Sequence, residues 1–451
     1  KFEKITNIKS FQNNIPIRDY EGIRSYINKI FSGRQNILWP GKPLYFAKSS
    51  GTTSGVKYIP ITKDAIYQHI RAAREALLNY IYQTTNVGIV NGKHIFIQGS
   101  PLLDDKNGIA LGRLSGIVAH HVPSYLQKNR LPSWDTNCIE DWEDKVNAIV
   151  DETHDKDMTI IGGIPSWVQM YFEKLVSKTS KSVGDLFPNF SLFVYGGVNF
   201  DPYKGLFRKL IGRELDSIEF YPASEGFFAY QDNQNDNGLL LLLDHGIYYE
   251  FVVASTFFDQ KPVIHCLNEV ILGVNYVMII STSAGLWRYN IGDTIKFINK
   301  YPFRLIVSGR LKHFISAFGE HVIVSEVEQS LKEAIDKTKE IIRVKEFTVA
   351  PQITPKAGLP YHEWFIEFEK PPKGKDIFAA NIDYAMRNKN IYYNDLIEGK
   401  ILRPLVITEV QKNGFQKYMK SIGKLGGQNK VPRVSDDRLI GDSLEKYIIN
   451  V

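Results

Sequence analysis

The sequence predicts an α/β protein with two domains. Strands alternate with helices over about the first 200 residues, strands dominate from Ile218 onward, and a small α+β unit follows Ser308–Lys312. With 451 residues, the chain is also too long for one ordinary hydrophobic core. We therefore expect a large N-terminal α/β domain over 1–309, with layered sheets and a β-rich subdomain, and a small α+β C-terminal domain over 310–451.

Apolar spacing predicts the elements of the first 200 residues in order. Ile23, Ile27 and Ile30 recur at helical spacing within Tyr20–Phe31, and Thr62 is placed to cap a helix from about Lys63 to Tyr82. The same reasoning predicts strands at His94–Gln98, Met158–Ile161 and Leu192–Tyr195, and helices at Ile139–Val150 and from Pro165 onward.

The rest of the chain is predicted from short β-rich runs and two amphipathic stretches. Strands are expected at Ile218–Phe220, Gly238–Leu243, Tyr248–Val253, Val270–Leu272 and Tyr276–Ile280. Beyond the expected domain boundary, the pattern predicts helices at Val324–Ile335 and Phe378–Met386, and strands at Phe347–Val349, Trp364–Phe368 and Leu402–Val410.

Composition narrows the class of protein. Hydrophobic residues make up 43% and charged residues 23%, which is typical of a globular chain. A net charge of +6 suits a small anionic substrate, and no Lys/Arg-rich patch indicates a nucleic-acid partner. Cys138 and Cys266 are far apart and lack metal-ligand spacing, so we expect free thiols in a reducing, cytoplasmic setting. No apolar run approaches the roughly 18 residues of a membrane helix.

The segment Ser49–Lys57 places five hydroxyl side chains and two glycines in front of a lysine. Glycine lets backbone N–H groups approach an anion, hydroxyls donate hydrogen bonds, and the lysine adds a positive charge. This pattern predicts a loop that binds nucleotide phosphates, although an ordinary polar turn has a similar composition. Only three residues separate Gly51 from Gly55 and no Gly-Lys-Ser/Thr follows, so the loop is not a Walker A motif.

A second candidate site is Tyr221–Gly226, directly after the strand predicted at Ile218–Phe220. A carboxylate at the carboxyl end of a strand lies where open α/β sheets bind ligands. Glu225 is therefore predicted to hold Mg²⁺ against phosphate oxygens, and Tyr221 to stack on a base. A solvated glutamate in a turn is the alternative.

A third candidate is Asp293, at the end of the run Leu286–Asp293. An ionised carboxylate offers two acceptor oxygens in one plane, which suits the two hydroxyls of a ribose. A surface turn explains the Gly292–Asp293 pair equally well in isolation. Four signals occur in one order along the chain: the hydroxyl loop, the glutamate, the Gly-Asp pair and Ser308–Lys312. This order is stronger evidence for a nucleotide site than any one of the signals.

Together these motifs resemble the GH3 family of acyl-acid amido synthetases, a branch of the adenylate-forming superfamily that includes acyl-CoA synthetases and luciferases. Ser49–Pro60, Tyr221–Gly226 and Tyr289–Asp293 are similar to its three motifs. The resemblance implies the adenylate-forming fold with a mobile C-terminal lid. It also implies ATP and Mg²⁺ as cofactors, and activation of a carboxylic acid as acyl-AMP before conjugation to an amino acid. A ligase that uses coenzyme A as acceptor, and a catalytically silent nucleotide-binding protein, remain alternatives.

The resemblance assigns roles to particular residues. Glu225 would hold the metal, Asp293 the ribose with help from Arg310, and Lys430 would be the C-terminal lysine that acts on the acyl phosphate. An exposed loop lysine is the alternative for Lys430, whose neighbours Gln428, Pro432 and Arg433 also match the family. The nucleotide would be bordered by Ser49, Ser50, Gly51, Thr52, Thr53, Ser54, Lys57, Tyr221 and Ser224, with Thr52 also catalytic.

The chain departs from the family pattern in places. Only Val56 separates Gly55 from Lys57, and Asn290 and Ile291 replace an arginine and a valine common in plant members. The acyl pocket is the hardest part to predict. Its candidates follow glycine turns at strand ends, although apolar residues at helical spacing are more often core. They are Trp167, Met170, Tyr171, Val198 and Phe200, together with Pro165 and Ser166.

Overall fold

A computed structural model describes residues 2–49, 57–197, 200–236, 238–311, 314–315, 322–338, 340–425, 430–435 and 437–449. Contacts within the chain define two compact units, one extending to Ile306 and the other beginning at Val307. Within the described ranges, no helix is long and apolar enough to cross a membrane. Cys138 and Cys266 are both free thiols, as expected.

The first unit contains most of the strands and ten helices of the described chain. Its strands are β1 (Tyr45–Ser49), β2 (Lys57–Ile61), β3 (Lys93–Ile97), β4 (Asp104–Lys106), β5 (Ile109–Gly112), β6 (Arg130–Leu131), β7 (Met158–Gly163), β8 (Leu192–Gly196), β9 (Asp216–Ala223), β10 (Gly226–Gln231), β11 (Leu239–Leu241), β12 (Ile247–Val253), β13 (Ile264–His265), β14 (Asn275–Thr282), β15 (Tyr289–Lys300) and β16 (Phe303–Arg310), which continues past Ile306. Its helices are α1 (Ile8–Asn14), α2 (Tyr20–Phe31), α3 (Lys63–Thr84), α4 (Leu114–Ala119), α5 (Ser124–Gln127), α6 (Trp134–Cys138), α7 (Trp142–Thr153), α8 (Pro165–Thr179), α9 (Val183–Leu186) and α10 (Asp201–Ile211).

Two sheets organise this unit. The smaller has the strand order β2-β1-β5-β4, and the larger has the order β13-β12-β14-β15-β16-β11-β10-β9-β8-β7-β3-β6. In the larger sheet, β6, β3, β7, β8 and β9 pair in parallel, so their carboxyl ends share one edge. The mixed α/β architecture with layered sheets and a β-rich part is the fold class that the sequence predicts.

The antiparallel part of the large sheet curls strongly. β9 and β15 are four places apart in the strand order, which would separate them by roughly 19 Å in a flat sheet. However, the hydroxyl of Tyr221 on β9 lies 2.8 Å from Asp293 on β15. Side chains from β9, β10, β12, β14 and β15 accordingly share one buried core, which includes Phe228, Tyr249 and Tyr289. The curl brings together motifs that are 72 residues apart in the chain.

Local sequence signals account for several helix starts. Asp19 and Thr62 cap α2 and α3 by accepting hydrogen bonds from the amides of Gly22 and Ala65. Pro165 begins α8, where its missing N–H costs no hydrogen bond. The predicted Tyr20–Phe31 helix is confirmed at both ends, and the helix predicted at Lys63–Tyr82 ends two residues later.

Other boundaries differ from the predictions. α7 begins at Trp142 rather than Ile139, because Asp141 caps it and the extended backbone of Ile139 ends the preceding short helix. The strand predicted at Val270–Leu272 is wrong; a 3₁₀ turn precedes this segment, and the amide of Ile271 donates to the hydroxyl of Tyr276. The long strands β15 and β16 were not predicted, because the Gly292–Asp293 pair suggested a turn and Ser308–Lys312 suggested a domain boundary.

The second unit is a small α+β unit, as expected. Its elements are β17 (Phe314–Ile315), β18 (Val322–Ile323), α11 (Val324–Lys337), β19 (Arg343–Gln352), β20 (Tyr361–Lys370), α12 (Lys375–Lys389), α13 (Ile391–Glu398), β21 (Val406–Val410), α14 (Gly414–Ser421) and α15 (Leu439–Leu444). β19, β20 and β21 form one sheet, and Trp364 is fully buried in the core beneath it.

Candidate functional site

The predicted phosphate loop joins the two strands of a hairpin. β1 and β2 are antiparallel, and Ser49 pairs with Lys57 across the ladder. Residues 50–56 lie outside the described part of the chain, so the roles predicted for Ser50, Gly51, Thr52, Thr53 and Ser54 stay predictions. The described ends of the loop are therefore held next to each other by backbone pairing.

Lys57 lies beside an aromatic residue that the sequence did not single out. Its ammonium group is 5.9 Å from the ring centroid of Tyr20 on α2. The hydroxyl of Tyr20 accepts a hydrogen bond of 2.9 Å from the amide of Tyr58, the residue after Lys57. Burial raises the pKa of Tyr20, so its hydroxyl stays protonated at neutral pH. Tyr20 thus holds α2 against the start of β2.

Glu225 occupies a two-residue turn with Ser224, between β9 and β10. This turn is shorter than the loop that the sequence predicts, because Tyr221–Ala223 continue the strand β9. The side chain of Tyr289, on β15, hydrogen-bonds to the Glu225 carboxylate. Burial raises the pKa of Tyr289, and the nearby charges of Glu225 and Asp19 raise it further. The phenol is therefore a hydrogen-bond donor that orients the carboxylate.

Asp293 lies inside β15 and is buried, with 6% of its surface exposed. A surface turn, the alternative considered from the sequence, is thereby excluded. Its Oδ2 accepts a hydrogen bond of 2.8 Å from the hydroxyl of Tyr221. Gly292, just before it, has a φ of +86°, a conformation that favours glycine. The second and third motifs therefore meet through two tyrosine–carboxylate pairs, Tyr221 with Asp293 and Tyr289 with Glu225.

A buried ion pair supports the beginning of β15. Arg288 Nε donates to Glu250 Oε2 at 2.7 Å, and both side chains are at most 2% exposed. Arg288 Nη1 also donates to the carbonyl oxygens of Gln12 and Ile15. The backbone of Arg288 accepts from the amide of Arg18, which leads directly into α2. The sequence pattern includes Arg288 only as part of the run Leu286–Asp293, and it assigns no role to this side chain.

The acyl-pocket candidates on α8 contact α7. Trp167 is buried, and its ring centroid lies 4.8 Å from that of Trp142. Met170 Sδ accepts a hydrogen bond of 3.4 Å from Trp142 Nε1. Tyr171 is fully buried and its hydroxyl lies 2.7 Å from that of Thr153. Val198 lies outside the described residues, and the assignment of these side chains to an acyl pocket stays a prediction.

The remaining predicted residues, Arg310 and Lys430, belong to the second unit. Arg310 is exposed at the end of β16, and Lys430 is also exposed. The chain just after Lys430 is held against β19: Thr348 Oγ1 donates to the Pro432 carbonyl at 2.6 Å. Arg433 is bound by the Glu346 carboxylate and stacks 4.6 Å from the Phe347 ring centroid.

The chemistry of the first-unit residues fits a nucleotide with a divalent cation. Mg²⁺ is usually held by one or two carboxylates together with substrate phosphates, so Glu225 alone is an adequate protein ligand. Among the described residues, no group of three or more His, Cys, Asp and Glu side chains is arranged as a metal cage. Glu225 and Asp293 have the chemistry to supply the carboxylates of such a site, and Lys57 to supply a positive charge; these roles stay predictions.

Known proteins share both the sequence pattern and the fold. The GH3 family N-terminal domain matches residues 1–133, the GH3 family central domain matches 240–310, and the GH3 family C-terminal domain matches 325–439. A jasmonoyl–L-amino acid synthetase, JAR4 of Nicotiana attenuata, is 23% identical over 64% of this chain. The match spans 61% of that relative's length.

Solved structures agree with this assignment. The GH3.15 acyl acid amido synthetase superimposes with a TM-score of 0.81 at 17% identity, covering 99% of this chain and 89% of its own. A 2-hydroxyisobutyryl-CoA ligase in its postadenylation state superimposes with a TM-score of 0.59 at 11% identity, covering 99% and 85%. The fold is therefore that of adenylate-forming enzymes, and the three matched domains together cover more than two thirds of the sequence. The chain belongs to the GH3 family.

Proposed function

We propose that this protein is an ATP- and Mg²⁺-dependent ligase that activates a carboxylic acid as acyl-AMP and conjugates it to an amino acid. The observation that carries the proposal is the meeting of the second and third motifs. Glu225 is oriented by Tyr289, and Asp293 is bonded to Tyr221, within a GH3 fold. The names of JAR4 and GH3.15 as amido synthetases favour an amino acid as the acceptor.

The reaction proceeds in two balanced steps. A carboxylate oxygen of the acid attacks the α-phosphorus of ATP, and pyrophosphate leaves. The amine nitrogen of the amino acid then attacks the acyl carbon, AMP leaves, and a proton is lost as the amide forms. No covalent enzyme nucleophile is needed, so catalysis depends on positioning and on neutralising phosphate charge.

We assign the residues by chemistry. Glu225 holds Mg²⁺ against phosphate oxygens, and the hydrogen bond from Tyr289 orients its carboxylate. Lys57 and the hydroxyl loop that it closes supply donors to the phosphates. Asp293 accepts the ribose hydroxyls, Ser224 and Tyr221 border the nucleotide, and Arg310 and Lys430 act on the nucleotide from the C-terminal unit. The free thiols of Cys138 and Cys266 favour a reducing, cytoplasmic location.

The proposal is tested by acid-dependent exchange of pyrophosphate into ATP across a broad panel of carboxylic acids. We expect exchange with a subset of acids, and amide products by mass spectrometry when amino acids are added. Coenzyme A serves as the competing acceptor. Consumption of acyl-AMP only by coenzyme A would identify the alternative ligase. Absence of exchange with every acid, despite ATP binding, would identify a catalytically silent nucleotide-binding protein.

Asp293→Asn is expected to weaken ATP binding about 10-fold to 100-fold. The amide keeps the size of the carboxylate but loses its charge, and hydrogen bonds to charged groups contribute about 1.5–3 kcal/mol. ATP affinity is measured by calorimetry in the absence of acid. Asp259→Asn, at an exposed aspartate of the same unit, is the matched control. If the two variants bind ATP equally well, Asp293 does not contact the ribose.

A further inference from the structure

A cluster of cationic side chains surrounds the carboxyl end of β3. Gln98 follows this strand. The oxygen of its side-chain amide accepts hydrogen bonds from Arg130 Nη2 at 2.9 Å and from Asn137 Nδ2 at 3.1 Å. The amide nitrogen then donates to the carbonyl of Ser115. Arg113 packs against Gly99, the residue after Gln98. A β-carbon added to Gly99 would lie only 3.1 Å from Arg113 Cδ. Gln98 therefore links three separate segments at this edge.

Lys145 is the buried member of this cluster. Its side chain projects from α7 and is 2% exposed, and its ammonium donates to the carbonyl of Asn137 at 2.6 Å. Arg113 and Cys138 are its charged or titratable neighbours. One carbonyl satisfies one of the three donors of an ammonium group, which is poor compensation for a buried charge.

Carboxylate partners are missing from the cluster. Within the described residues, Lys145, Arg113 and Arg130 form no ion pair with any Asp or Glu. The hydrogen bonds of Arg130 go to the carbonyl of Ala119 and to Gln98. Burial lowers the pKa of both arginines, and it lowers the pKa of Lys145 to about 8, which is still above neutral pH. Ser115 Oγ, a further donor, is buried without a partner among the described atoms. These three cations and the hydroxyl group could all donate hydrogen bonds to a bound anion.

The cluster lies on the ligand-binding edge, away from the nucleotide motif. The parallel strands run in the order β9-β8-β7-β3, and ligands of such sheets bind at the carboxyl ends. Three strand spacings separate β3 from β9, which is about 14 Å. Glu225 follows β9 directly, whereas α8, with the acyl-pocket candidates Trp167 and Met170, follows β7.

Trp142 connects the cluster to those candidates. It precedes Lys145 by three residues on α7, so both side chains lie on one face of the helix. Trp142 contacts the ring of Trp167 and the sulfur of Met170. The predicted acyl pocket is therefore adjoined by cations on the side of β3 and by the nucleotide motif on the side of β9.

We propose that Lys145, Arg113 and Arg130 form a subsite for a second anionic group of the acyl substrate, so that the preferred acid is a dicarboxylic acid. This inference rests on the proposed function. One carboxylate is activated beside Glu225, and the other remains ionised among the three cations. In this proposal, the carbon skeleton lies against Trp142, Trp167 and Met170, which contact one another between the two ends.

Matched pairs of acids with one or two carboxylates on the same skeleton test this subsite; examples are hexanoic and adipic acid, and benzoic and terephthalic acid. Direct binding is measured by calorimetry without ATP, and pyrophosphate exchange is measured with ATP. We expect at least one diacid to bind 10-fold or more tightly than its monoacid. Lys145→Met should bring the ratio close to one, whereas Lys178→Met, at an exposed lysine of α8, should leave it unchanged.

Thermal unfolding separates a ligand-binding lysine from a structural one. Without ligand, Lys145→Met should unfold at the same temperature or higher, because it removes a buried and poorly compensated charge. A lower Tm together with weaker binding of both acids would show that Lys145 only supports α6 and α7. Equal binding of monoacids and diacids by the unchanged protein would also overturn the proposal.

Two further results distinguish related explanations. If inorganic phosphate displaces the diacid with equal affinity in a Lys145-dependent manner, the subsite is a general anion site and the dicarboxylic assignment is wrong. If no acid supports pyrophosphate exchange but Lys145-dependent binding of the diacid persists, the proposed ligase activity fails while the anionic subsite stands.

Discussion

Lys430→Ala is expected to slow adenylation by about 100-fold to 1000-fold while ATP binding changes little. A positively charged donor that acts on the acyl phosphate stabilises charge in the transition state more than in the bound substrate. Removal of one such donor typically lowers the rate by about 100-fold to 1000-fold. The measurement combines acid-dependent pyrophosphate exchange under saturating ATP with the calorimetric ATP affinity of the same variant.

Lys424→Ala, at another exposed lysine of the C-terminal unit, is the control for Lys430→Ala, and it should retain full exchange. Arg433→Met provides a second comparison, because Arg433 is held by Glu346 and Phe347 three residues after Lys430. Loss of this anchor should lower the exchange rate without weakening ATP binding. Normal exchange by Lys430→Ala would mean that Lys430 is an ordinary surface lysine.

Arg288→Met is expected to lower the free energy of unfolding by about 3–5 kcal/mol. The substitution leaves the Glu250 carboxylate buried and without its cation, and breaking one side of a buried pair has a cost of this size. It also removes the hydrogen bonds that Arg288 makes to the carbonyl oxygens of Gln12 and Ile15. Urea unfolding at several protein concentrations gives the change in free energy.

Two variants control for the loss of an arginine in general. Arg24→Met breaks an exposed pair with Glu21, and it should change the free energy of unfolding by no more than about 0.5 kcal/mol. Combining Arg288→Met with Glu250→Met should recover part of the lost stability, because the uncompensated carboxylate is then gone. A loss below about 1 kcal/mol for Arg288→Met would contradict the structural role assigned to this ion pair.

The two site carboxylates show how far sequence reasoning reached. Glu225 and Asp293 could be selected because each follows a recognisable local pattern. In the structure, Glu225 is bonded to Tyr289 of the third motif, and Asp293 is bonded to Tyr221 of the second motif. Tyr20 was missed as a contact of Lys57, because its helical spacing signals only a buried face of α2. The ion pair of Arg288 with Glu250 was also missed, because the partners are 38 residues apart and no local rule links them.

The predicted acyl pocket shows the same contrast between residues found from local sequence patterns and residues found only in the structure. Trp167 and Met170 could be proposed from their position after a strand and a glycine turn. Lys145 gave no signal, because a lysine on an amphipathic helix is normally solvent-exposed. Only the packing of α6, α7 and the end of β3 around it identifies it as buried.

The amino-acid sequence alone determined the fold class, the start of α2 and α3 and the family motifs, because these depend on spacing, capping and residue order within short segments. The tertiary structure decided which distant residues meet. Curling of the large sheet joins Tyr221 to Asp293, and the parallel order of β9, β8, β7 and β3 places the nucleotide motif and the cluster around Lys145 at the same edge. Both depend on strand pairing between residues far apart in the chain, and that pairing is selected by the packing of the whole core rather than by any local pattern.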